Sequence, residues 1–279
     1  MDKSPIDKGL IDRGKAFRAL HEAKGAFVIP NPWDIGTAKL LASFGFKALA
    51  TTSAGYAFSR GLPDGGVGFE AMISHCREIV GATGLPVSAD LEKGKGDTPE
   101  SAAETIFAAS AAGLAGCSIE DFSGDEAAPI YDFTLAVERV AAAVEAARSL
   151  KRDFVFTARA ENFLHGRNDL DDTIKRLQAF EKVGVDVLYA PGITDMDTVR
   201  NLCSAVSKPV NILAVPGFTV AGLAEAGASR ISLGSKLTTF AFGMMQNAAR
   251  EMLDEGSFAF ARAAMPFAEA QKLFGGGDA

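Results

Sequence analysis

Residues 112–121 read Ala112-Gly113-Leu114-Ala115-Gly116-Cys117-Ser118-Ile119-Glu120-Asp121. A helical run stops at Gly113, a short apolar run follows, and two acids end it. Glycine just past a helix takes the left-handed backbone that closes the last turn. The same device recurs as Phe44-Gly45-Phe46-Lys47-Ala48 and Val183-Gly184-Val185-Asp186-Val187, and Gly227 repeats it after Gly222–Ala226. Each marks a helix that feeds a strand.

Outward from these joints, strands are expected at Ala26–Pro30, Ala48–Ser53, Pro86–Leu91, Gly116–Asp121, Phe154–Arg159, Val187–Ala190, Val210–Ala214 and Arg230–Gly234. Their cores are nearly continuous in apolar residues, as strands buried on both faces require. Helical periodicity covers Thr37–Phe44 after the cap Asp34, Pro99–Ala112 after the cap Thr98, and Phe133–Leu150, Leu170–Val183 and Thr194–Val206. This strand–helix alternation, without an early G-x-G-x-x-G, predicts an α/β fold, the (β/α)₈ (TIM) barrel. The 279 residues suit one such domain. Helical segments are expected to flank it at 1–25 and 256–279. The second, Phe258–Phe274, is apolar over a broad face, and we expect it to pack on a neighbouring subunit.

With 48% hydrophobic residues the chain can bury a large core. Its 35 acids against 28 bases give a net charge of −7, which argues against nucleic acid as a partner. Cys76, Cys117 and Cys203 show no metal-ligand spacing and read as reduced thiols. No apolar run reaches 18 residues and Met1–Lys15 is charged throughout, so a cytoplasmic protein with no membrane contact is expected.

In a barrel of this kind the chemistry sits at the C-terminal ends of the strands. The third strand ends Asp90-Leu91-Glu92, before the loop Lys93-Gly94-Lys95-Gly96. Residues i and i+2 of a strand share a face, so Asp90 and Glu92 are expected to converge in front of a mobile loop. With Glu120 from the fourth strand they form an expected site for Mg²⁺ or Mn²⁺, hard cations that take oxygen ligands. Arg159 ends an apolar strand, where a guanidinium needs an anion: a substrate carboxylate or enolate, or a structural partner such as Glu120 or Glu161. Ser53-Ala54-Gly55 reads as a tight turn that offers backbone N–H groups to a carboxylate. Trp33, Tyr56 and Asn211 complete the candidate substrate-binding set with Asp90 and Arg159. His21 and His75 are read as surface or packing residues. His165, in the loop past Arg159, is within reach of the site.

These residues, in this order, resemble the isocitrate lyase/phosphoenolpyruvate mutase superfamily from Asn31 to about Phe242. The family's Asp-x-Asp-x-Gly-x-Gly resembles Asp90-Leu91-Glu92-Lys93-Gly94-Lys95-Gly96, with Glu in place of the second Asp. Its Leu-Glu-Asp resembles Ile119-Glu120-Asp121, its Ala-Arg matches Ala158-Arg159, and its Ser-Gly turn resembles Ser53-Ala54-Gly55. Its Arg-Asp pair resembles the region ending in Asp64. The resemblance implies a Mg²⁺-dependent barrel acting on a small 2-oxo acid through an enolate, with catalytic roles at Arg159, Asp64 and Glu120. It also implies a homotetramer, a dimer of dimers, that exchanges a C-terminal helix.

The departures narrow the reaction. Isocitrate and methylisocitrate lyases carry Lys-Lys-Cys-Gly-His after the fourth strand. Here that loop runs from Phe122 to Tyr131 without Cys, Lys or His, so those two lyases are not expected. The mutases carry an Asn in the same loop and a His after the sixth strand, and both are absent. The expectation is therefore a carbon–carbon lyase or decarboxylase on a 2-oxo acid. Phosphoenolpyruvate or phosphonopyruvate mutase or hydrolase chemistry and non-catalytic 2-oxo acid binding are the alternatives. A Schiff-base aldolase is disfavoured because no expected strand interior holds a lysine.

Overall fold

The computed structural model describes residues 5–275. All eight expected strands are present, shorter at their ends: β1 (Phe27–Ile29), β2 (Leu49–Ala50), β3 (Val87–Asp90), β4 (Gly116–Glu120), β5 (Val155–Arg159), β6 (Val187–Tyr189), β7 (Val210–Leu213) and β8 (Arg230–Ser232). They form one parallel sheet in the order β1-β8-β7-β6-β5-β4-β3-β2. A single backbone bond, Ala50 N–H to the Pro30 carbonyl at 3.0 Å, joins its two ends. The result is a nearly closed (β/α)₈ barrel.

Helices alternate with the strands: α1 (Pro5–Glu22), α2 (Ile35–Ser43), α3 (Ser53–Ser59), α4 (Phe69–Ala82), α5 (Pro99–Ala111), α6 (Phe133–Ser149), α7 (Leu170–Val183), α8 (Met196–Ser204), α9 (Val220–Glu225), α10 (Lys236–Arg250) and α11 (Phe267–Phe274). Most begin on a side-chain cap, with Asp34, Thr52, Thr98, Asp132, Asp169, Asp195 and Thr219 each accepting a first-turn N–H. Such a cap stabilises a helix by about 1 kcal/mol and fixes where the chain leaves the strand. The helix-to-strand glycines behave as expected, with φ +87° at Gly113 and +100° at Gly184. The turn expected at Ser53-Ala54-Gly55 is instead the first turn of α3. The Thr52 cap and Gly55, packed against Thr238 of α10, allow a helix there.

The barrel floor is closed by α1. Phe17 is fully buried among Ile29, Ala48, Val155 and Val187. A Cβ on Gly116 would lie 2.3 Å from the Val155 carbonyl oxygen and 3.0 Å from the Phe17 ring. Arg18 pairs with Asp153 at 2.8 Å and Asp186 at 2.9 Å beside it. His21 and His75, expected at the surface or in packing, are both buried.

The C-terminal helix is shorter than expected. After α10 comes a π-helical turn, Glu251–Glu255, then a 3₁₀ turn, Ala259–Ala263, and α11 starts only past Pro266. Proline supplies no N–H and does not continue a helix from its N-terminal side, which splits the expected Phe258–Phe274 run. Phe240, Met245, Leu253, Phe258 and Phe267 stand exposed along this region. No helix of the described residues is long and apolar enough to cross a membrane.

Candidate active site

At the C-terminal rim Arg159 joins three acids. Its Nη1 donates to Asp90 Oδ1 at 2.6 Å, its Nη2 meets Glu120 Oε2 at 3.0 Å, and its Nε donates to Glu161 Oε1 at 2.9 Å. The guanidinium lies over the Tyr189 ring, 5.2 Å from its centroid. Strand register explains the meeting: Glu120 is level with Arg159, and Arg159 with Tyr189. The structural partners are thus present. Burial opposes the charge on Arg159, but Glu120, Glu161 and Asp90 hold it protonated well above its ordinary range.

The other oxygen of Asp90 accepts from the Ser53 N–H at 3.2 Å and the Ser53 hydroxyl at 2.8 Å. The expected carboxylate-binding turn is therefore engaged by a carboxylate of the chain itself. Ser53, Ala54, Asp64, Asp90, Arg159 and Asn211 line a cavity of about 310 Å³ that runs down into the barrel. A second cavity, of about 490 Å³, shares Ser53, Asp64 and Arg159 with it and adds Glu92, Glu120, Glu161 and His165.

Glu92 reaches this rim by a route the strand argument missed. β3 stops at Asp90, and Glu92 has φ +51°, left-handed backbone that a residue with a side chain rarely adopts. The expected mobile loop is anchored. The buried Arg139 of α6 donates to the Lys93, Gly96 and Thr98 carbonyls, and Lys95 N–H donates to Thr105 Oγ1 at 2.9 Å. Burial, then Asp90 and Asp64, push the Glu92 carboxyl up to about 7. Burial also raises Glu120, Glu161 and, with Asp90 nearby, Asp64.

Asp64 lines both cavities. Three expected residues do not line either cavity. Trp33 packs beside the α2 cap, its backbone N–H on Thr37 Oγ1. Tyr56 stacks on His75 with ring centroids 3.8 Å apart. Gly55 is buried, and a Cβ there would lie 2.5 Å from both Thr238 Oγ1 and Thr52 Cγ2, so it serves packing. Asn211 lines the cavity, its amide bound to Ser232 and Arg230. Arg230 was overlooked, although it carries the signal that marked Arg159: a guanidinium in an apolar strand. His165, within reach as expected, stacks on Phe122 at 3.8 Å and lies 3.8 Å from Glu161.

Asp64, Asp90, Glu92, Glu120 and Glu161 thus surround the single guanidinium of Arg159. This surplus of hard oxygen donors, whose carboxyls burial first and mutual repulsion second push upward, suits a divalent cation. Among the described residues no three His, Cys, Asp or Glu side chains form a ready coordination sphere. The expected metal-holding residues Asp90 and Glu120 are both engaged by Arg159.

Residues 17–253 match the family model for phosphoenolpyruvate phosphomutase. A Burkholderia cenocepacia crystal structure, provisionally described as that of a lyase/mutase, is 51% identical with a TM-score of 0.95, covering 97% of this chain and 98% of that one. An uncharacterized Mycobacterium tuberculosis protein is 32% identical over 86% of this chain and 89% of its own. The 2-methylisocitrate lyase of Escherichia coli is 31% identical over 76% of this chain and 75% of its own. With the barrel, the acid rim and Arg159 in place, the chain belongs to the isocitrate lyase/phosphoenolpyruvate mutase superfamily of enzymes.

Proposed function

We propose that this chain is a Mg²⁺-dependent lyase that breaks or forms a carbon–carbon bond beside the carbonyl of a 2-oxo acid, decarboxylation included, through an enolate. The observation that carries this is the ring of five acids around one guanidinium at the cavity mouth. Asp90, Glu92 and Glu120 would hold the ion, partly through water, which Mg²⁺ retains. Bound there, it would polarise the 2-oxo carbonyl. Arg159, held in a site preorganised by Asp90 and Glu161, would stabilise the oxygen on which enolate charge develops. His165 is the histidine of the acid-lined cavity and the candidate to move a proton to the enolate carbon once the carbon–carbon bond has broken.

The loop after β4, residues 122–131, carries no Cys, Lys or His, so cleavage of isocitrate and methylisocitrate is not proposed. The match to the phosphomutase family supports a second reading, phosphorus–carbon chemistry on phosphonopyruvate at the same rim. Turnover of oxaloacetate and 4-hydroxy-2-oxo acids with Mg²⁺, lost in EDTA, is expected. A new ³¹P signal from phosphonopyruvate would favour the second reading instead. Thermal stabilisation by these acids without turnover would leave a binding protein. The exposed Phe240, Met245, Leu253, Phe258 and Phe267 support assembly with further copies of the chain, and light scattering on the purified protein tests it.

A further inference from the structure

Arg230 opens β8 inside the barrel and is almost wholly buried. Its Nε donates to Asn211 Oδ1 at 2.8 Å and its Nη2 to Thr157 Oγ1 at 3.1 Å. Its Nη1 lies 3.3 Å from Nε2 of His21. That histidine is neutral. Its Nδ1 lies 2.8 Å from the Phe17 carbonyl oxygen, which only accepts, so Nδ1 carries the proton and Nε2 offers a lone pair. Burial first and Arg230 second pull the His21 ring down to about 3.

All three partners of Arg230 are therefore uncharged. Among the described residues no carboxylate lies within 4.0 Å of it. Arg159, by contrast, has three. A buried cation without an anion is costly, and three acceptors leave two N–H groups of the fork unused. The surroundings are also unlike a usual barrel interior, which bulky branched side chains fill. Here Ser88, Ser118, Tyr189, Asn211 and Ser232 line the same cavity that opens at Asp90 and Arg159, and Arg230 lines it with them.

We propose that this interior is a second anion subsite, in which Arg230, supported by Asn211 and Thr157, takes a carboxylate-sized monoanion beneath the rim. The anion is either the far carboxylate of a ligand whose 2-oxo acid end sits at Asp90 and Arg159, or a free anion of similar size. The first source rests on the 2-oxo acid reading above; the subsite itself does not. Arg230 would then set selectivity for ligands with a second acid group and would have no part in bond cleavage.

The test uses unreactive probes of equal length, 2-oxoglutarate and 2-oxopentanoate, measured by calorimetry on the full chain with Mg²⁺. Wild type is expected to bind the diacid at least about tenfold more tightly, the scale of one charge-assisted hydrogen bond. Arg230→Gln is expected to erase that preference while leaving 2-oxopentanoate affinity within about twofold, and Arg230→Lys to keep part of it. Acetate is expected to raise the melting temperature of wild type more than that of Arg230→Gln. It is also expected to compete with 2-oxoglutarate in wild type, a measurement that needs no variant to fold. Acetate acting alike on wild type and Arg230→Gln and failing to compete would overturn the subsite. Equal affinities for the two probes in wild type, with acetate still selective for Arg230, would refute the substrate source and leave a free-anion site. If neither 2-oxo acid binds and acetate still does, the reading of the rim fails and the subsite stands.

Discussion

Replacing Glu92 by Gln removes one charge from the acid rim and keeps the shape and the left-handed backbone of that residue. In the native protein Glu92 holds its proton until about pH 7, against 4.5 for a free glutamate. Burial is the main cause, with Asp90 and Asp64 adding repulsion. Between these two values the native state binds more protons than the unfolded state, so stability falls as pH rises. The contribution is fully present below 4.5 and is lost as pH passes 7. At about 1.36 kcal/mol per unit the full shift bounds the loss at about 3 kcal/mol. Solvent screening of a partly exposed carboxyl reduces this to about 1.5 kcal/mol. For a chain of this size that is about 3–6 °C in melting temperature. Melting curves in EDTA from pH 4 to pH 8 should therefore show wild type losing this much more than Glu92→Gln. Added Mg²⁺ should restore wild type at pH 8 and restore the variant less. Parallel curves for the two proteins in EDTA would refute the argument that Glu92 is strained by charge.

Asp90→Asn should lower turnover at least about 100-fold, because it removes the charge that orients Arg159, with little change in melting temperature. Steady-state kinetics beside a melting curve separates the two effects. Phe17→Ala, at the fully buried floor, should cost about 3–5 kcal/mol in denaturant unfolding. Gly55→Ala should cost about 1–3 kcal/mol, since its Cβ would lie 2.5 Å from Thr238 and Thr52, despite the better helix propensity of alanine. His165→Ala should lower turnover at least about 100-fold while leaving 2-oxo acid affinity within about threefold; unchanged turnover would end the proton-transfer role.

The barrel was legible because its signals are local. Most helix-to-strand joints carry a glycine, most helices a side-chain cap, and each strand its apolar run, so eight units could be counted without any knowledge of their neighbours. The break at Pro266 was visible too, but the apolar face of Phe258–Phe274 outweighed it. Asp90, Glu120 and Arg159 were legible for a related reason. A charge at the end of a buried strand is expensive, and the barrel topology says which end carries function.

What lay beyond the sequence is what depends on contacts between distant segments. Trp33, Tyr56 and Gly55 looked like pocket residues because they follow strands, yet helix packing turns them to other work. Glu92 reaches the rim through a backbone twist that Arg139 and Thr105 stabilise from two other helices. The neutral state of His21 and the uncompensated charge of Arg230 exist only because α1 closes the floor beneath β8. The sequence by itself determined the number, order and direction of the strands, and so the rim where chemistry gathers. Only the tertiary structure decided which charges meet there and which are left without a partner, because electrostatic pairing is set by distance across the barrel, and distance across the barrel is not written in any one segment of the chain.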